Sequence, residues 1–231
     1  MMTRYSIASL FKSIWSLLSW KGDKHTQGVY FNKEYGYVIQ PTYAIRIKHD
    51  EPAPTVFYIP DTEDDLADEV VTEYPFNDLC KTTRDSWPLY QGSCLTVDEL
   101  ERIFEGTADD MYSFPIQPLY ELLAGVSNKR KRDRTMVHLK ITGQHARVTL
   151  IDKKSEEPFL TIRLDIYSHH HSNDDRSVKE ARVNANNMLH TLNFLKKGDV
   201  IHLGLYRDKI KITSFSTVHL EAVLSLIKTK G

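Results

Sequence analysis

The order helix, strand, strand, strand occurs twice after residue 115, and this repeat limits the fold more than any other feature of the chain. In the first pass Pro115 suits the opening turn of a helix, and Leu119, Leu122, Leu123 and Val126 then share one helical face. The basic run Lys129-Arg130-Lys131-Arg132 ends it, with cations that answer the helix macrodipole. Three alternating segments follow at 136–141, 147–151 and 159–166, with Val137, Leu139, Ile141, Leu160, Ile162, Leu164 and Ile166 on the inward side. In the second pass the helix opens at Val183-Asn184, carries Met188, Leu189, Leu192 and Leu195 on one face, and closes at Lys196-Lys197-Gly198-Asp199. Strands are expected at 200–206, 209–213 and 218–227, with a turn at Arg207-Asp208. A helix with a single apolar stripe covers one face of a sheet and leaves its other side in water. The expected class is therefore α+β: repeats of one helix and three antiparallel strands, with the helices on one face of the sheets.

The first half is less regular. Ile7, Leu10, Phe11, Ile14, Leu17 and Leu18 share one face of a core-packed helix over about 6–19, with Lys12 on the other side. Short strands are expected at 28–32, 37–40, 43–48 and 55–59. An acidic stretch at 61–73 and an irregular one at 74–91 follow. A short helix then carries Val97, Leu100, Ile103 and Phe104 inside and Asp98, Glu99, Glu101 and Glu105 outside. The domain boundary is placed near 106–113, giving domains 1–110 and 111–231.

With 41% hydrophobic and 26% charged residues the chain has the composition of a folded protein. Its formal net charge of −1 means that any contact with nucleic acid requires cations segregated onto one surface. Two cysteines, Cys80 and Cys94, suit small buried groups in a reducing compartment, so a cytoplasmic location is expected. The N-terminal apolar stretch is too short and too polar to span a bilayer, and it lacks a signal-peptide cleavage site, so no membrane association is expected. No nucleophile motif, phosphate-cradling glycine loop or HExxH pattern occurs, so neither catalysis nor a cofactor is expected. His169-His170-His171 is read as a loop; consecutive residues on a strand cannot all face one metal.

The segment Pro115-Ile116-Gln117-Pro118-Leu119-Tyr120-Glu121-Leu122-Leu123-Ala124-Gly125-Val126-Ser127 and the later Val183-Asn184-Ala185-Asn186-Asn187-Met188-Leu189-His190-Thr191-Leu192 resemble the DNA sliding clamps. The resemblance is to the last domain of the bacterial DNA polymerase III beta subunit. Asp199-Val200-Ile201-His202-Leu203-Gly204-Leu205 and Leu220-Glu221-Ala222-Val223-Leu224-Ser225-Leu226 follow the same order. In the first half, Gly28-Val29-Tyr30-Phe31 and Tyr37-Val38-Ile39-Gln40-Pro41-Thr42-Tyr43-Ala44-Ile45-Arg46 resemble a clamp segment that walls the partner pocket, making the first domain a degenerate copy.

The resemblance implies a non-enzymatic processivity factor that holds a polymerase or other replication protein on duplex DNA, without sequence preference. It also implies a homo-oligomeric ring. The rival reading is a β-rich interaction module of a phage or mobile element that keeps the fold without encircling DNA. Asn186, His190, Asn193 and Lys197 fall on one polar stripe of the second helix, which in a clamp faces the hole. With Lys12, Arg130, Lys131 and Arg132 they are the expected DNA contacts; an ordinary solvated helix face gives the same pattern. Tyr43, Ile45, Val223, Leu224 and Leu226 match the clamp positions that receive a partner's short peptide, and buried sheet core gives that pattern too.

Overall fold

The computed structural model describes residues 29–40, 42–49, 56–60, 71–74, 97–106, 108, 110–126, 129–171, 179–195, 198–215 and 219–227. The expected helix over 6–19 and the irregular stretch at 75–91 lie outside them. The chain divides into two compact units: Met1–Gly106 with Val218–Ala222, and Thr107–Thr217 with Val223–Gly231.

In the first unit the strands are β1 (Val29–Phe31), β2 (Tyr35–Gln40), β3 (Tyr43–Lys48), β4 (Val56–Pro60) and β5 (Val71–Tyr74), followed by helix α1 (Val97–Phe104). They pair antiparallel in the order β3-β2-β1-β4-β5. Tyr37, Val38, Ile39, Ala44, Ile45 and Ile47 are buried, the β-branched and aromatic content that suits a packed sheet. The amide of Lys48 donates to the carbonyl of His219 at 3.0 Å, which fastens the returning 218–222 segment beside β3.

The second unit begins with β6 (Asp110–Pro115), α2 (Ile116–Ala124) and α3 (Lys129–Asp133). Then come β7 (Thr135–Thr142), β8 (His145–Asp152), β9 (Pro158–Asp165) and β10 (Ser168–His171). The second pass is β11 (Glu180–Asn184), α4 (Ala185–Leu192), β12 (Val200–Leu205) and β13 (Lys209–Ser214), closed by β14 (Leu220–Ser225), whose last residues belong to this unit. Each pass thus opens with a strand that the sequence pattern did not include, since β6 precedes α2 and β11 precedes α4, and β10 adds a further strand to the first. His169-His170-His171, expected as a loop, lies in β10, which pairs antiparallel with β6, because backbone hydrogen bonding to a neighbouring strand asks nothing of the side chains. The run 129–132, expected to end the first helix, forms the short α3 instead.

The order β11-β7-β8-β9 makes a four-stranded antiparallel sheet. One face buries Val137, Leu139, Ala146, Val148, Leu150, Leu164, Ala181 and Val183. Ile116, Leu119, Leu122 and Leu123 of α2 and Ala185, Met188, Leu189 and Leu192 of α4 are buried as well, and the two helices pack on each other. β7 and β8 join through Gly143-Gln144; Gly143 sits at φ 59°, a backbone state that an L side chain strains, and the tight loop fixes the register of the hairpin.

Candidate functional site

Helix α4 begins where it does because Asn184 caps it: its side-chain oxygen accepts the N–H groups of Asn186 and Asn187 at 2.8 and 3.2 Å. The Asn184 amide in turn donates to the carbonyl of Asp133 at 3.2 Å. Lys153 Nζ donates to that same carbonyl at 3.0 Å, and the backbone N–H of Lys153 donates to the carbonyl of Arg134 at 2.8 Å. These bonds gather α3, the turn after β8 and the start of α4 at one end of the second unit. Lys131, Arg134 and Lys154 are exposed there. Burial holds the Lys153 ammonium below its ordinary pKa, with Asp133 opposing the shift. The half-buried Arg132 donates from Nη1 to the carbonyl of Val126 at 3.0 Å, so its guanidinium also clasps the end of α2.

The expected stripe on α4 is not uniformly solvated. Asn186 is 5% exposed, because, three residues before the buried Leu189, it shares that residue's side of the helix. His190 is half-buried and Asn193 is exposed. Lys12, Lys197 and the side chain of Arg130 lie outside the described residues. On α2 the exposed positions are Gln117, Pro118, Glu121 and Ala124, and the Gln117 amide donates to Glu121 at 2.9 Å. Lys153 and Lys154 join the cationic end although no sequence pattern on α4 points to them; the Lys-Lys-Ser turn after a strand was the available clue. Of the residues assigned to peptide docking, Tyr43 and Ile45 are buried on β3, Val223 and Leu224 are buried on β14, and Leu226 is half-buried.

The first unit holds a charged network centred on Arg46. Glu101, expected on the outer face of α1, instead accepts Nη1 of Arg46 at 2.9 Å and the Asn32 amide at 3.0 Å, and the Tyr37 hydroxyl donates to it. Arg46 also donates to Glu221 from Nη2 at 2.8 Å and from Nε at 3.2 Å. Its guanidinium lies 4.7 Å from the ring centres of both Tyr35 and Phe104, the geometry of a cation held between two π faces. Burial alone would lower the Arg46 pKa, but Glu221 and Glu101 outweigh it and raise it. Burial, then the bond to Glu101, pushes the Tyr37 phenol up. Because two carboxylates share one cation, Arg46 is the group on which the network depends.

No protein-family model and no curated protein matches the sequence. Solved structures do. The DNA polymerase III beta subunit of Borrelia burgdorferi, in complex with a natural product, aligns with a TM-score of 0.62 at 9% identity over 100% of this chain and 65% of its own. The beta subunit of Streptococcus pyogenes gives 0.61 at 12% identity over 99% and 68%. The sliding clamp of Bartonella birtlesii, bound to griselimycin, gives 0.59 at 16% over 96% and 65%. The chain therefore spans about 65% of the length of the Borrelia and Bartonella subunits. At such identities what is shared is the fold, and the chain has the architecture of the DNA polymerase III beta sliding clamps.

Proposed function

We propose that the chain is a clamp-like processivity factor, a protein without catalytic chemistry that holds a polymerase or another replication protein on duplex DNA. The observation that carries this reading is the cationic end of the second unit, where Lys131, Arg134, Lys153 and Lys154 meet the start of α4 on a sliding-clamp fold. Cations on a surface without base-reading groups bind phosphates of any sequence, and that is what a clamp asks of its DNA contacts. Its partner would be tethered through a short peptide, and tethering raises local concentration without any bond being made or broken. The cytoplasm is the compartment in which such a protein would work.

Retention on DNA tests it. The protein loaded on closed circular duplex should stay bound through a wash and leave when the circle is cut. Lys131→Glu with Arg134→Glu should weaken duplex binding by about tenfold or more and lower the salt slope by about two. Equal retention on linear and circular DNA would overturn the encircling role. At 9% identity to the Borrelia subunit the shared fold does not carry its function with it, and the second reading is a clamp-derived interaction module that binds protein without embracing DNA; it would show no duplex retention at all.

A further inference from the structure

The second unit presents a cationic face that the clamp reading does not use. On the four-stranded sheet the face opposite the buried Val137, Leu139, Val148 and Leu150 carries rows of side chains set by the strand register. One row runs Glu180, Lys140, Arg147, Arg163 across β11, β7, β8 and β9. The next runs Arg182, His138, Thr149, Thr161. Lys140, Arg147 and Arg163 are exposed, so three cations stand in adjacent register with about 5 Å between strands.

Like charges directly opposite on neighbouring strands oppose folding, and the two carboxylates on the face do not cancel them. Glu180 accepts from His138 at 2.7 Å and lies 3.8 Å from Lys140. Asp165 accepts from Nδ1 of His145 at 2.9 Å, while Arg163 donates to Nε2 of the same ring. That chain fixes the Arg163 guanidinium at the surface, beside Arg147. At the start of the same strand, beside the register irregularity where Ile151 pairs with Pro158, Phe159 is 54% exposed.

We infer that this sheet face is a binding surface for single-stranded nucleic acid, its phosphates on Lys140, Arg147 and Arg163 and an unpaired base on Phe159. Cations that follow a backbone, next to an exposed aromatic ring, form the sequence-tolerant platform on which single strands are held. A duplex keeps its bases stacked inside and offers Phe159 nothing, and a flat sheet face enters neither groove. The inference does not rest on the encircling role, because the residues are different from those at the start of α4.

Fluorescence anisotropy of the full chain with a labelled oligothymidylate of about 12 nucleotides tests it. The combined variant Lys140→Glu, Arg147→Glu, Arg163→Glu should weaken binding by about tenfold or more and lower the salt slope by about two. Phe159→Ala should weaken it roughly tenfold. Lys131→Glu with Arg134→Glu should leave it within about twofold while reducing duplex binding, so this surface and the clamp reading fail separately. Should the triple reversal not fold, as judged by its melting curve, Arg147→Ala and Phe159→Ala as single exposed changes decide in its place. Absence of oligothymidylate binding, or binding that survives these changes, overturns the inference. Displacement by polyglutamate as readily as by unlabelled oligothymidylate, with Phe159→Ala silent, overturns it in favour of an acidic protein partner.

Discussion

Arg46 is the residue on which the first unit's polar interior turns, since it answers both Glu101 and Glu221 while its plane lies between Tyr35 and Phe104. Removing one partner of a mostly buried ion pair strands the others, so Arg46→Ala should cost about 3 kcal/mol in urea unfolding. A loss under about 0.5 kcal/mol would show that the network is solvated. His219 offers a test by pH. Burial holds its imidazole below the ordinary 6.5, and Glu221 at 3.6 Å opposes the shift while Lys48 and Arg46 add to it. The unfolded chain then takes up a proton more readily than the folded one. The contribution is present above about pH 6.5 and is lost as pH falls through the folded value. The melting temperature should fall more between about pH 7.5 and about pH 5.5 in the native chain than in His219→Gln; equal falls would refute the coupling.

At the scale of elements, α4 depends on its cap and on its apolar face, and each has its own expected cost. Asn184→Ala removes the acceptor for two N–H groups and a donor to the Asp133 carbonyl, which should cost about 1 kcal/mol. Leu192 is fully buried, and Leu192→Ala should cost roughly 2–5 kcal/mol. Chemical denaturation of both variants gives the comparison: a cap loss as large as the core loss would mean that α4 is held by its N-terminus and not by packing. Helix existence and facing were legible because Leu119, Leu122, Met188 and Leu192 recur at helical spacing. The facing of Glu101 was not, because α1 spans only Val97–Phe104 and the cation that draws Glu101 inward lies 55 residues earlier.

For the whole molecule, the proposed encircling role carries its own stoichiometry: a ring of six similar domains would be completed by three copies of a two-domain chain. Among the described residues the edge strand β9 has only β8 beside it in its sheet, and continuing that sheet into a neighbouring subunit would pair that edge. Light scattering at micromolar concentration is expected to give three times the chain mass. A monomer that also fails to remain on circular DNA would leave the interaction module as the standing reading.

By itself the sequence determined the class of fold and the repeated order of its second half, because helix and strand periods are local and each apolar stripe demands a covering layer. It also settled where α4 starts, since Asn184 needs only its own next residues to form the cap. Tertiary structure alone decided which charges are shared. Arg46 meets Glu221 across 175 residues, Lys153 reaches the carbonyl of Asp133, and Lys140, Arg147 and Arg163 become neighbours only through strand register. Register and long-range pairing depend on how whole strands align, and no window of sequence contains that information.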